Sequence, residues 1–267
     1  MKNFLLAICL FFSINLHADE GMWLYTMIDK LKLETKGCRL TPEQIYSINH
    51  SSLKDAIVGL GLGNDPTFFF CSAELVSSKG LVFTNHHCGM ELIQKHSTLS
   101  SNYVTEGFWA KTMDEELPNQ EITASILDHI IDLTDSIVPL LDTIKNKEKR
   151  YNVQDSLINV FEKKYKKNGF SVTVTPFFDN NAFYLFVYKT YRDVRLVGAP
   201  PESIGIFGGD TDNWMWPRHT GDFSILRIYT DSIGTPAPYS PKNIPMQTNN
   251  HLKISLKGYK ESDYAML

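Results

Sequence analysis

Long apolar runs are nearly absent from these 267 residues. Beyond an N-terminal stretch over 4–16, no segment approaches the roughly 20 residues that a spanning helix needs, so no membrane span is expected in the mature chain. Blocks of one charge are missing too. The 26 Lys and Arg residues are offset by 30 Asp and Glu, and the two lysine-rich clusters, at 145–150 and 163–167, are interleaved with Glu148 and Glu162. They read as the solvated face of a helix. Without a basic patch, nucleic acid is not an expected partner. Cysteine is scarce, with four in all. There is no internal repeat and no low-complexity tract, and no second Cys/His pair stands at zinc-finger or ribbon spacing. Gly59, Gly61 and Gly63 recur at every second position but lack the strand-to-helix setting of a dinucleotide loop. No metal and no cofactor are expected.

What is present suits a chain with a real core: 43% hydrophobic residues and 12% aromatics. Met1-Lys2-Asn3 is a short basic start, the run over 4–16 is apolar, and Leu16-His17-Ala18 offers small-residue cleavage before Asp19. That is the grammar of a cleaved secretory signal over 1–18, and it predicts a mature protein in the periplasm or at the cell surface. Cys9 lies within the signal, which leaves Cys38, Cys71 and Cys88 in a compartment that permits disulfides.

The apolar spacing predicts a helix over 23–33. Thr41-Pro42-Glu43-Gln44 combines an N-cap, proline at the first helical position and a capping-box glutamine, opening one helix or two short ones whose buried face is Ile45, Ile48, Leu53, Ala56 and Ile57, with the three glycines breaking it. Strands are expected over 68–76 and 80–84, joined by the turn Ser77-Ser78-Lys79-Gly80. Residues 122–133 read as a strand running into a helix, and 140–167 as a helix stopped by Asn168-Gly169. Further strands are expected over 171–178, 182–191, 194–197, 222–230 and 251–256. The stretch 183–188 is apolar enough for burial on both faces, and the proline-rich stretch 231–250 reads as a loop. Tyr264-Ala265-Met266-Leu267 reads as a strand cut short. The expected class is mainly β, a barrel or sandwich with helical insertions.

The chemistry concentrates in "GLVFTNHHCG", residues 80–89. Cys71 and Cys88 lie 17 apart across a predicted hairpin, close enough for a disulfide across its open end; two buried thiols are the alternative. His86 and His87, with Cys71, Cys88, Glu91 and His96 nearby, raise zinc, but adjacent histidines on a strand point to opposite faces and do not share an ion easily. Two further readings stand beside it: one structural and one exposed histidine, or acid–base chemistry. Histidine titrates near neutrality and can take and return a proton, provided a carboxylate fixes its tautomer.

A strand ending in Thr-x-x-His-Cys, with a cysteine about 17 residues upstream, resembles the surroundings of the general base in chymotrypsin-like serine proteases. By position the base is His87, not His86. Asp222, opening the apolar run of "GDFSILRIY", resembles the partner acid more closely than Asp128, Asp132, Asp193, Asp210 or Asp212. Its separation from His87, 135 residues, exceeds the roughly 45 of the template triad, so an insertion such as the helical segment near 135–168 is expected.

The likeness extends further. "SINHSSLKDAIVGLG", "SAELVSSKGLVFTNHHCG", "GFWAKTMDEELPN" and "YRDVRLVGAPPESIGIFGGDTDNWMWPRHTGDFSILRIY" resemble the bacterial dipeptidyl-peptidases of peptidase family S46, over nearly all of the mature chain. The resemblance implies a periplasmic or surface serine exopeptidase that releases dipeptides from a free N-terminus. It implies a chymotrypsin-type double β-barrel capped by an inserted helical domain, and a homodimer. It gives His87 as general base, Asp222 as its partner, and Asn213 and Trp214 as residues that hold the substrate ammonium and close the cleft. An amide carbonyl can accept from –NH3+, and an indole face can meet the cation. Without the resemblance, "NWMW" would read as core, and Trp216 is expected there. Family members are far longer than this chain, and nothing here resembles a Gly-x-Ser-Gly nucleophile turn; Ser203 and Ser224 lack its context. The expectation is therefore that 19–267 forms the N-terminal part of such a peptidase domain, without the rest of the second barrel, the helical cap or the nucleophile. The alternative is a module that binds peptide N-termini without cutting. The loop before Cys71 departs from the family pattern, and Cys38 is unplaced.

Overall fold

The computed structural model describes residues 23–266; the predicted signal over 1–18 lies outside them. Eleven strands form one antiparallel sheet: β1 Ile57–Leu62, β2 Phe69–Leu75, β3 Leu81–Thr84, β4 Phe108–Trp109, β5 Leu117–Pro118, β6 Ile122–Asp132, β7 Phe170–Phe177, β8 Ala182–Tyr191, β9 Asp193–Ala199, β10 Ser224–Thr230 and β11 Ile244–Pro245. The order is β4-β9-β10-β3-β2-β1-β6-β8-β7, with β11 beside β10 and β5 beside β9. Among the described residues, three α-helices of two turns or more accompany it: α1 His86–His96, α2 Thr134–Asp142 and α3 Lys147–Tyr165.

Alternation explains the central strands. Val58 and Leu60 of β1, Ala73 and Leu75 of β2, Val82 of β3, Ala124 of β6, Leu196 of β9, and Leu226 and Ile228 of β10 all turn to one core. The sheet curls around that core, so that β6 and β9, not neighbours in the ladder, touch across it. The glycines at 59 and 61 do not break a helix as expected; they lie within β1. Space is the reason at Gly59, where a Cβ would stand 2.7 Å from the Phe69 ring.

β6 is eleven residues long and shifts register between Leu127 and His129, carrying the chain out of this core into a second region. There β8 is buried on both faces, as expected. Phe183, Leu185 and Val187 meet Ile137 and Leu141 of α2 and Leu157 and Phe161 of α3. Tyr184, Phe186 and Tyr188 meet Leu127, Ile130 and Phe177 on the other side, where burial pushes the Tyr188 hydroxyl up to about 12. Asn146 caps α3 by accepting from the Lys149 N–H at 2.9 Å. None of its residues is fully buried, which agrees with the solvated lysine face.

Several expectations are corrected. The Thr41–Gln44 capping box is present, but the helix it opens is the single turn Pro42–Ile45, and the next helical residues are a 3-10 turn, Leu53–Ala56. Residues 23–33 hold 3-10 turns, Tyr25–Leu31 and the start of Leu33–Lys36, rather than an α-helix. Residues 251–256 form no strand; Ile254 and Leu256 are exposed and meet no neighbouring ladder. Residues 264–266 form none either. Cys38 is a buried free thiol in a small cluster with Ile28 and Ile45.

Candidate active site

The two histidines do not lie on a strand. β3 ends at Thr84, Asn85 is extended, and His86 opens α1. Successive helical positions diverge by about 100°, so the two rings leave the first turn in different directions: His86 is fully buried and His87 exposed.

Asp222, two residues ahead of β10, reaches the start of α1. Its Oδ1 accepts from the His86 N–H at 2.6 Å and the His87 N–H at 3.2 Å, both of which a helix start leaves without an intrahelical partner. Its Oδ2 lies 3.0 Å from His87 Nδ1 and accepts from Asn85 Nδ2 at 3.2 Å. Burial pushes the Asp222 carboxyl up, but the N–H and imidazole of His87 and the N–H of His86 outweigh it and hold the group below its ordinary value. A carboxylate accepts only, so His87 Nδ1 carries the proton and Nε2 is left as an acceptor. The helix start, positive through its exposed N–H groups, stabilises the same carboxylate. The pair holds the His87 ring in one orientation.

Cys71 and Cys88 are joined, with Cα atoms 6.1 Å apart, tying β2 to the first turn of α1. These sulfurs and a ring nitrogen of His87 lie within 4.8 Å of one another. Metal ligation by cysteine requires thiolates, and the disulfide commits both sulfurs elsewhere. Beside His87 opens a groove of about 470 Å³, lined by Leu62, Phe70, Cys71, Glu91, Lys95 and Glu121 among others.

Three of the competing aspartates are occupied. Asp193 is buried in a two-point pair with Arg195 at 2.8 and 2.9 Å, Asp128 meets His129 Nδ1 at 2.6 Å, and Asp132 accepts from the Thr134 N–H. Ser224 is fully buried, and its hydroxyl has no partner among the described residues.

Asn213 and Trp214 lie on an excursion between β9 and β10 and form no hydrogen bond or ring contact with the dyad. Asn213 Oδ1 accepts from Arg218 Nη2 and Thr220 Oγ1, each at 2.9 Å, and the Arg218 guanidinium stands 4.1 Å above the Trp214 ring. A resident cation thus engages both features expected to receive an ammonium. Trp214 is 80% exposed and Trp216 is 89% exposed; Trp216 is not the core residue its side chain suggested. Arg218, Thr220 and Asn85 were missed in the sequence. A cation four positions after an indole was the available signal for Arg218.

A sequence model of the Peptidase S46 family matches residues 18–267. The chain is 46% identical to the dipeptidyl-peptidase 7 of Capnocytophaga gingivalis, over 94% of this chain and 35% of the relative. It is also 46% identical to the Asp/Glu-specific dipeptidyl-peptidase of Porphyromonas gingivalis, over 98% of this chain and 36% of the relative. It superposes on the crystal structure of Porphyromonas endodontalis DPP11 in complex with substrate with a TM-score of 0.80 at 42% identity, covering 91% of this chain and 36% of that one. The same protein has been solved with the dipeptide Arg-Asp, with a TM-score of 0.80 at 41% identity, covering 92% and 35% of the two chains. The chain therefore spans about a third of the length of the relatives it matches, and it belongs to the Peptidase S46 family.

Proposed function

We propose that this family member carries the base and acid of a serine-type dipeptidyl-peptidase built on a chymotrypsin-like barrel. The observation that carries the reading is the Asp222 carboxylate bound at once to His87 Nδ1 and to the first N–H groups of α1. In the reaction, His87 Nε2 takes the proton of a serine hydroxyl as that oxygen attacks the peptide carbonyl. Asp222 stabilises the imidazolium without taking the proton, and His87 then returns it to the leaving amine. The serine lies outside these 267 residues; Ser224, buried and turned away from solvent, is not available to a substrate.

The substrates proposed are peptides with a free N-terminus, counted two residues from the ammonium by Asn213 and Trp214. For this, Arg218 must yield one lone pair of Asn213 Oδ1 and the face of Trp214 to the arriving cation. The site of action is the periplasm or cell surface, and the full-length protein is a homodimer. Residues 19–267 make up the N-terminal part of the peptidase domain.

The 267-residue chain is expected to leave dipeptidyl substrates intact. Hydrolysis that disappears in His87→Ala would place the nucleophile within this chain and overturn that part of the proposal. Calorimetry with one peptide, free and N-acetylated, tests recognition: the free amine should bind more tightly, and equal affinities would remove Asn213 and Trp214 from the site. Equal affinities would also dispose of the binding-module alternative.

A further inference from the structure

His86 is spent by nothing in the proposed chemistry, yet it is the more deeply buried of the pair. Its Nε2 lies 3.0 Å from the carbonyl oxygen of Pro200. A carbonyl accepts only, so Nε2 carries the proton and Nδ1 is the bare nitrogen, enclosed and without a partner among the described residues. The flat of the ring is pressed against Gly205, where an added Cβ would stand 2.3 Å from His86 Cγ. Both contacts lie just past the end of β9, where Pro200, Pro201 and the turn Glu202–Gly205 lead the chain into the excursion that bears Asn213 and Trp214.

That excursion closes on itself. The Gly221 N–H donates to the Ile204 carbonyl at 2.9 Å, and the single Thr220 Oγ1 proton is shared between the Phe207 carbonyl and Asn213 Oδ1, both at 2.9 Å. The ascending side of this neck is held by His86. The descending side ends in Asp222, held by the N–H groups of His86 and His87 and by the His87 ring. Two consecutive residues of α1 therefore grip the two sides of one loop neck.

We propose that His86 is a positioning residue: through Pro200 and Gly205 it fixes the excursion carrying Asn213 and Trp214 relative to the base on the adjacent residue. The distance between the place where the ammonium is received and the place where the proton is taken is then set within a single helical turn. The loop-fixing claim stands on the geometry alone; its consequence for substrate rests on the reading of Asn213 and Trp214 given above.

Three variants of the 267-residue chain test it. His86→Phe keeps a ring against Gly205 and removes the donor. His86→Gln keeps a side-chain N–H donor. Gly205→Ala leaves His86 in place and displaces its ring. Hydrogen exchange is followed peptide by peptide. Protection over 206–220 is expected to fall about fivefold or more in His86→Phe and Gly205→Ala, the weight of one buried hydrogen bond, and to recover at least in part in His86→Gln. Protection of β1, β2 and β8 should hold in all three. Unchanged exchange over 206–220 in both His86→Phe and Gly205→Ala would overturn the proposal, and so would loosening spread evenly over the sheet, which marks a residue that only stabilises the fold. The free and acetylated peptides supply the second readout. Preference for the free amine should shrink in His86→Phe and return in His86→Gln. If the wild-type chain shows no preference, the functional reading fails while the exchange data still decide the role of His86. If all variants keep the wild-type preference, the positioning role fails.

Discussion

The two ends of β6 are held by different forces. At one end, where β1, β2 and β3 lead into α1, the site is secured by directional ties across long stretches of chain: three hydrogen bonds from His86 and His87 to Asp222, one from His86 to Pro200, and the Cys71–Cys88 bridge. At the other end, β8 lies between α2 and α3 on one face and an aromatic layer on the other, and the contacts are apolar. Apolar burial is large and tolerant of angle; hydrogen bonds to a charged group are smaller in number and strict in geometry. The far region should therefore govern whether the chain folds, and the site region how accurately two or three atoms are placed.

The sharpest separation should come from Asp222→Asn in a full-length protein of this sequence. The amide disturbs the His87 tautomer, and turnover is expected to fall by about 10⁴-fold, by analogy with the triad acid of the serine-protease template. A loss of less than tenfold would show that Asp222 does not orient the base. The counterpart on the other side is Phe183→Ala. It empties a fully buried ring position between α2 and β8 and should cost about 3–5 kcal/mol in chemical denaturation. A cost under 1 kcal/mol would mean that this region does not govern folding.

Replacing both Cys71 and Cys88 by alanine opens a loop of 17 residues and should cost about 3 kcal/mol. It crosses the comparison, since it weakens the site end by a covalent rather than a directional route. Asn146→Ala, removing the α3 cap, should cost only about 1 kcal/mol, read as a small shift of the urea midpoint.

The smallest effect is in pH. The Asp222 carboxyl is depressed in the folded chain, so its contribution is complete above its ordinary value of 3.8 and is lost as pH falls through the lower folded value. Acid titration of stability below about pH 4 should be shallower in Asp222→Asn than in wild type. Equal slopes would show that the carboxyl is not held by the helix start.

Much of the far region was legible because its pattern is one-dimensional. The strand over 182–191 follows from a continuous apolar run, and the helical stretch over 140–167 from its periodicity and the Asn168-Gly169 stop, all local properties; the break that divides the helical stretch into α2 and α3, with Asn146 as the cap of α3, was not legible. The hairpin ending at Thr84 was legible for the same reason. The stretch 251–256 shows how that reasoning fails: Leu252, Ile254 and Leu256 alternate, but a strand exists only where a neighbour supplies a ladder, and the one bond from the Leu252 N–H to the Leu75 carbonyl is not continued. The capping box at Thr41 marked where a helix starts and carried no information about its length. At the site, residue types, spacing and resemblance pointed to His87, Asp222 and the disulfide. The change from strand to helix at Asn85 was hidden, because no proline or glycine punctuates it. The grip of His86 on Pro200 and the stacking of Arg218 on Trp214 were hidden as well, since both depend on a loop path that no local pattern encodes.

The neck formed by Ile204 and Gly221 has a consequence for how such a protein can change over generations. Because the chain leaves and returns through one pinned gate, residues inserted or removed beyond it alter only the length of a closed loop. Doubling such a loop costs only about 0.6 kcal/mol in closure entropy, while His87 and Asp222, on the near side of the gate, keep their distance. The loop over 206–220 and the carboxylate–imidazole pair are thereby separable inheritances: one can be rewritten by lengthening, shortening or exchanging residues, and the other is passed on unchanged.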